Sequence, residues 1–413
     1  MKRRVVITGL GAVTPIGNTV ESFWNAAKEG KNGIDKITLF NTENFKVKVA
    51  AEVKDFNPEE ILGKKEAKRI DRYTQLALVA AKECMKDSGI ELEKVDKERF
   101  GVIFGSGIGG LITMENQIRT LEVKGPNRIA PLTIPQSISN MAAGSIAIEF
   151  GLLGSCLSVT TACATSTHCI GEAYRSIKDG YLDRAIVGGS EASICEFGIG
   201  AFQSLTALSK SEDPNRASIP FDKDRNGFVM GEGAGAIILE DLESALTRGA
   251  KIYAEVVGYG TTCDAYHMTA PASDGEGAYR AMRDAIRDAN IEAKDIGYLN
   301  AHGTSTKIND KVETLAIKKA LGDYAKEVLV SSTKSMTGHL LGAAGAIEAI
   351  ICIKALQDNF VPANINYVNH DEECDLNIVA NVGKEVEIDY AMSNSLGFGG
   401  HNGTIIVKKW RGR

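Results

Sequence analysis

Apolar positions in this chain fall into two patterns, short unbroken runs and longer stretches at helical spacing. The runs lie at 5–8, 100–104, 157–160, 185–187 and 236–239, then at 254–257, 296–300, 328–331, 390–393 and 404–407. Several show no polar alternation, which predicts strands buried on both faces. Between them, helical patterns cover 73–87, 136–150, 166–178, 277–290, 311–321 and 344–356. Strand–helix alternation over the whole chain predicts an α/β fold.

The pattern also repeats. A strand and Gly-rich turn at 100–110, a strand-turn-helix at 157–178 and a strand-turn at 184–191 return in that order. Their counterparts are 296–310, 328–356 and 390–401. Such an echo predicts internal duplication. The junction falls within 234–259, which gives halves of 1–250 and 251–413. No low-complexity linker separates them, so one continuous core is expected.

Composition narrows the function class. A net charge of −6 over 413 residues argues against a chain built to bind nucleic acid or a membrane surface. Glycine is abundant and aromatics are few, as tight strand-to-helix turns require. The eight cysteines are scattered and form no CxxC pair, which suits reduced cytosolic thiols rather than a zinc site or a disulfide framework. The basic start is followed by an apolar run that breaks at Thr8-Gly9, so it reads as a first strand and not as a signal segment. No run approaches the ~20 apolar residues of a spanning helix. A cytoplasmic protein is expected.

Three residues stand where strands end and chemistry collects. Cys163 follows an apolar strand and small residues, with a helix directly after it. A helix N-terminus favours a thiolate, and a sharp strand-to-helix turn exposes a nucleophile. The competing reading is a small buried hydrophobe. His302 follows a strand in Asn-Ala-His-Gly-Thr-Ser-Thr, and His339 lies between a strand and a small-residue helix. Either histidine alone reads as an ordinary loop or core residue. Two at equivalent sheet edges, with a cysteine at a third, point to a composite site. His168, inside the helix after Cys163, reads as structural.

Two Gly-rich turns remain. Gly105, Gly107 and Gly110 have GxGxxG spacing after a strand, which fits a dinucleotide loop or a bland tight turn. The run 393–403 offers amides for an anion, with Phe398 between glycines as a gate or as a packed turn aromatic.

These segments resemble the β-ketoacyl-[acyl-carrier-protein] synthases of fatty acid synthesis, type II in particular, over essentially the whole length. ITGLGAVTPIG, VTTACATSTH, PFDKDRNGFVMGEGAGAIILE, DAYHMTAP, NAHGTSTKINDKVET, STKSMTGHLLGAAGAIEAI and SNSLGFGGHNG carry the resemblance. It implies a duplicated thiolase-type fold in five layers, α-β-α-β-α, and a homodimer. The first half would carry the nucleophile and the second the two histidines. It also implies fatty acid chain elongation by decarboxylative Claisen condensation, with the acyl group on Cys163 and malonyl-carrier protein as the extender. The product is 3-oxoacyl-carrier protein with CO2. No nucleotide or redox cofactor is implied.

Residue by residue, the resemblance assigns catalysis to Cys163, His302, His339, Lys334 and Phe398, with oxyanion amides at Cys163 and Phe398. It places Ile108, Phe202, Thr304, Thr306 and Gly399 among substrate-binding positions. Lys65, Lys68, Arg69 and Arg128 match positions that dock the acyl carrier protein. Glu348, Asn300, Ser393 and Asn394 support the site, in some members around a monovalent cation. Type III synthases have Asn where this chain has His339, and thiolases carry a second cysteine in the last Gly-rich turn. Lys307, Leu396 and His401 depart from commoner residues and bear on gate and pocket. Two other readings stand beside this one: an NAD-dependent oxidoreductase using the Gly105 loop, and a non-catalytic acyl-binding subunit.

Overall fold

The computed structural model describes residues 2–412. Its first half runs β1 (Val5–Val13), α1 (Arg72–Ser88), β2 (Phe100–Gly105), α2 (Leu111–Lys124) and α3 (Met141–Phe150). It continues with β3 (Cys156–Leu157), α4 (Thr165–Lys178), β4 (Arg184–Glu191), α5 (Glu196–Ser204) and β5 (Gly233–Asp241). The second half runs β6 (Ala254–Cys263), α6 (Glu276–Ala289), β7 (Ile296–Asn300) and α7 (Lys307–Leu321). After these come β8 (Leu329–Ser331), α8 (Ala344–Asp358), β9 (Tyr390–Gly397) and β10 (His401–Lys409).

These ten strands form one sheet ordered β8-β7-β9-β10-β6-β1-β5-β4-β2-β3. Outward from the central pair, β1–β5 and β5–β4 are antiparallel, then β4–β2 and β2–β3 are parallel. β6–β10, β10–β9, β9–β7 and β7–β8 repeat that sequence. The fold is duplicated.

Side chains alternate across each half-sheet, and the alternation builds the layers. Ile186 and Ile238 enter an outer cluster with α1 and α3, whereas Ala185, Val187, Ile237 and Leu239 enter a central one. In the second half, Met392 and Ile406 face α6 and α7, and Ala391, Ile405 and Val407 face the centre. The central cluster holds α4 and α8 and draws on both halves. Helix, half-sheet, two central helices, half-sheet, helix is the five-layer α-β-α-β-α arrangement.

The halves part where β1 and β6 stop pairing, after only Val5–Ile7. Beyond that point Leu10 N–H donates to Asp87 at 2.9 Å and Ala12 N–H to Glu83 at 2.8 Å. Two carboxylates of α1 thus replace the missing strand. A Cβ on Gly11 would lie 1.9 Å from the Ala80 carbonyl, and one on Gly260 would lie 1.9 Å from that of Ala281. Each half uses the same close helix-on-strand approach.

The ten expected strands are those of the sheet, but the run at 157–160 pairs only as far as Leu157. From there the chain leaves the sheet to build the turn around Cys163. Helices α2 and α5 escape the periodic reading. No residue of α2 is buried, and its Met114, Ile118 and Leu121 are exposed, so no stripe marks a core-facing side. Among the described residues no helix is long and apolar enough to cross a membrane.

Candidate active site

Cys163 is the middle residue of a 3-10 turn, Ala162–Ala164, that runs straight into α4. Ala162 has φ +50°, a left-handed conformation that a non-glycine holds only when its surroundings enforce it. Thr161 supplies much of that enforcement. Its N–H donates to Thr165 Oγ1 at 2.9 Å, and its carbonyl accepts Ala164 N–H at 3.0 Å. Gly397, the last residue of β9, packs against it; a Cβ there would come within 2.5 Å of the Thr161 carbonyl.

The thiol is 8% exposed, and burial pushes it up to about 12. The Lys334 charge and the nearby Phe398 N–H pull the other way; Glu191 and Glu348 add to the rise. The expectation that the helix start alone would favour a thiolate is therefore corrected: desolvation outweighs it.

The histidines stand opposite. Each is 2% exposed, and their rings lie 5.3 Å apart, nearly perpendicular. Burial holds both well below the usual imidazole range, with Lys334 adding to the effect, so both are neutral. Neither Nδ1 has a partner among the described residues. His302 N–H and Gly303 N–H each donate to the Glu313 carboxylate of α7 at 2.7 Å. His339 N–H donates to the Val229 carbonyl at 2.7 Å, and its ring meets Phe228 edge-on. Lys334 forms a buried ion pair with Glu348 of α8.

These groups open on one cleft of about 460 Å³, lined by Cys163, both imidazoles, Phe398, Phe202 and the Thr304/Thr306 pair. Phe398 stacks on Phe202 at 6.5 Å, and the two threonine hydroxyls are 3.0 Å apart. A thiol, two neutral N–H donors and the Phe398 turn beside them are equipped for acyl transfer and for stabilising an enolate.

Two of the expected substrate-binding residues lie off this cleft. Ile108 lines a second, apolar groove with Met114, Ile118, Ile138 and Phe197, and its N–H goes to Glu191. Gly399 gives its N–H to the Met268 carbonyl. Lys65, Lys68, Arg69 and Arg128 are exposed, and none forms an ion pair among the described residues. The Lys68 carbonyl accepts from Gln136, the neighbour of the groove residue Ser137, and none of the four basic residues is among the cleft lining.

Asn300 Oδ1, Ser393 Oγ and Glu348 Oε2 are buried without partners, and Asn300 pairs with Ser393 across β7–β9. Orphaned oxygens of this kind fit a small hard cation. Asn394 fits less well, because Thr404 occupies its Oδ1 and its amide turns to Glu313. Among the described residues no cluster of three His, Cys, Asp or Glu is placed to hold a metal.

The GxGxxG turn is a tight turn and not a nucleotide loop. Glu191 accepts the N–H groups of Gly107 and Ile108, Ser106 Oγ accepts that of Gly109, and the Ser137 carbonyl that of Gly110. The amides of residues 107–110 are thus all taken by the protein itself. Glu191 also takes Gly342 N–H, just beyond His339. Glu191 and Glu313 are the residues that sequence reasoning missed. The available signal was an acid in a buried position: Glu191 ending an apolar strand, and Glu313 on the core face of α7 with Asp310 and Ile317.

The chain matches the family described as "Beta-ketoacyl synthase, N-terminal domain" over residues 2–245, and its C-terminal domain over 253–368. It is 52% identical over 408 residues to "3-oxoacyl-[acyl-carrier-protein] synthase 2" of Staphylococcus aureus (strain COL), covering 99% of both chains. A protein of the same name from a Synechocystis strain is 49% identical over 411 residues, again with 99% of each chain. Among solved structures it superposes with a TM-score of 0.91 and 36% identity on the one titled "AntDE:AntF (apo): type II PKS acyl-carrier protein in complex with its ketosynthase bound to the hexaketide". That alignment covers 99% of this chain and all of the other.

Proposed function

The chain belongs to the β-ketoacyl synthase family, and from that premise we propose that it elongates acyl chains carried on acyl carrier protein. The observation that carries this reading is the meeting of buried Cys163, two buried neutral imidazoles and Phe398 in one cleft.

In the first step the Cys163 sulfur attacks the acyl-carrier thioester, and its proton leaves with the carrier thiol. The backbone N–H groups of Cys163 and Phe398 hold the oxyanion of the tetrahedral intermediate. Splitting the reaction through an acyl-cysteine pairs a good nucleophile with a good leaving group. Malonyl-carrier protein then enters, and N–H groups of His302 and His339 bind its thioester carbonyl. Loss of CO2 leaves an enolate that those donors stabilise, and its carbon attacks the acyl-cysteine. Collapse expels the Cys163 thiolate, which regains a proton. The sum is acyl-carrier, malonyl-carrier and one proton giving 3-oxoacyl-carrier, free carrier thiol and CO2.

Neutral imidazoles support this role, since each presents one N–H donor without a charge that would hold the malonyl carboxylate. Lys334, paired with Glu348, sets the field at all three groups. Thr304 and Thr306 would bond the phosphopantetheine arm, and Phe398 on Phe202 would gate the acyl side. Decarboxylation drives the step, so no nucleotide or redox cofactor takes part; Asn300, Ser393 and Glu348 would hold a monovalent cation as a structural charge. The exposed Lys65, Lys68, Arg69 and Arg128 would dock the acidic carrier. A cytoplasmic homodimer completes the reading.

The test is direct. Incubation with acyl-carrier protein should add one acyl mass to Cys163, and later malonyl-carrier protein should yield CO2 and 3-oxoacyl-carrier. An adduct on Cys169 or Cys156, or nicotinamide-dependent chemistry without CO2, would overturn it.

A further inference from the structure

His168 has no part in the chemistry above, yet its imidazole spans two turns that the chemistry needs. It lies in the first turn of α4 and is 4% exposed. Its Nδ1 is 2.6 Å from Thr161 Oγ1. Its Nε2 is 3.3 Å from the Asn402 carbonyl and 3.1 Å from Thr261 Oγ1. A carbonyl only accepts, so Nε2 carries the proton and Nδ1 accepts from the Thr161 hydroxyl. Burial lowers the imidazole from its usual range and keeps this neutral form.

The two ends of this bridge matter. Thr161 precedes the strained Ala162 and is the anchor of the Cys163 turn. Asn402 follows the Phe398 turn; its side chain donates to Asp264 at 2.7 Å and to the Gly400 carbonyl at 3.3 Å. Asp264 and Asn402 both line the cleft. His168 makes no hydrogen bond to the loops of His302 or His339 among the described residues.

We propose that His168 is a positioning residue for acyl transfer, holding the Cys163 turn in register with the Phe398 turn through Thr161 and Asn402. The inference rests on the condensing reaction proposed above and deepens its first half-reaction. Without the imidazole, Thr161 loses its acceptor, and the sulfur drifts from the Phe398 N–H that meets the oxyanion.

Three variants separate positioning from bulk stability. In His168→Asn the side-chain oxygen stands near the position of Nδ1 and keeps the Thr161 bond. His168→Gln places an N–H near Nε2 but leaves Thr161 unpaired, and His168→Ala removes both. Two rates are read from each preparation: acylation of Cys163, and CO2 release from malonyl-carrier protein without an acyl primer. Acylation should fall about tenfold in the Gln and Ala variants and within about threefold in Asn, the scale of one hydrogen bond. CO2 release should stay within about twofold of the parent in all three. Equal loss of both rates would show a merely structural residue. Parental acylation in Ala, or equal acylation in Asn and Gln if Ala does not fold, would also overturn the proposal. If the parent neither acylates nor releases CO2, the condensing reading itself fails.

Discussion

Cys163 stands on one wall of the cleft, supplied by the first half of the chain, and His302 and His339 stand on the other, supplied by the second. All three side chains are buried, and the same desolvation acts on the two walls in opposite directions. It pushes the thiol up to about 12 and the imidazoles well below their usual range. A thiolate–imidazolium pair is therefore not the resting state. All three groups wait neutral, with the Lys334–Glu348 pair close by and Glu191 acting on the thiol as well. Each half also contributes a buried carboxylate that collects backbone N–H groups: Glu191 takes those of Gly107, Ile108 and, from the histidine side, Gly342, and Glu313 takes those of His302 and Gly303. The duplicated halves supply the same kind of scaffold to two different chemistries. Acylation and decarboxylation should accordingly come apart under mutation.

The largest expected effect is on the cysteine wall. Cys163→Ser should lower acylation and condensation on the order of 10³-fold or more. The change barely alters volume, so the fold should persist. Primer-free CO2 release should survive, and its collapse in this variant would merge the two walls into one machine. Next in size come His302→Ala and His339→Ala. Each should cut CO2 release on the order of 10²–10³-fold, the usual loss for one oxyanion-type donor. Acylation should persist at a usable rate in both. CO2 release near the parental rate in both variants would remove the enolate role.

How much of this contrast the sequence discloses follows from what local patterns encode. The strands are unbroken apolar runs because both faces are buried, so they and their duplication are visible along the chain. Cys163, His302 and His339 are visible because each follows a strand end. Helix α2 is not, because its apolar residues face a surface groove and leave no core-facing stripe. Glu191 and Glu313 are hidden for another reason. Their importance lies in which backbone amides they meet, and those belong to segments about 80–150 residues away in the case of Glu191. The resting state of Cys163 is likewise a property of burial, which the helix start following it does not report.

Glu313 sharpens the comparison through pH. Burial pushes its carboxyl up to about 7, while the N–H groups of Gly303 and His302 oppose the rise. Its unfolded value is about 4.3, so the folded chain binds a proton that the unfolded chain releases. Its contribution to stability therefore declines from about pH 4.3 to about pH 7 and is level above that, by roughly 4 kcal/mol at most. CO2 release should move oppositely, rising several-fold through pH 7 as the ionised carboxylate grips both amides. Acylation at Cys163 should show no such step. Urea midpoints and both partial rates, compared between the parent and Glu313→Gln, check this. A step in CO2 release that survives in the Gln variant belongs to another group.

The smallest effect is the one that should not divide the walls. Lys65, Lys68 and Arg69 are exposed on and after the short helix Lys64–Ala67, without ion-pair partners among the described residues, in a chain of net charge −6. An acidic carrier would be steered to them whether it brings the acyl or the malonyl group. Lys65→Glu with Arg69→Glu should thus raise the apparent KM several-fold for both carrier substrates, the usual scale for rim charges. Turnover of a small acyl-pantetheine thioester, which makes no use of the patch, should be nearly unchanged. The effect should also shrink as salt rises, because exposed charges are screened over ~8–10 Å near physiological ionic strength. A loss confined to one partial reaction would place these residues on one wall of the site. An equal loss with the small thioester would make them part of the fold, because the cleft would then suffer without any carrier present.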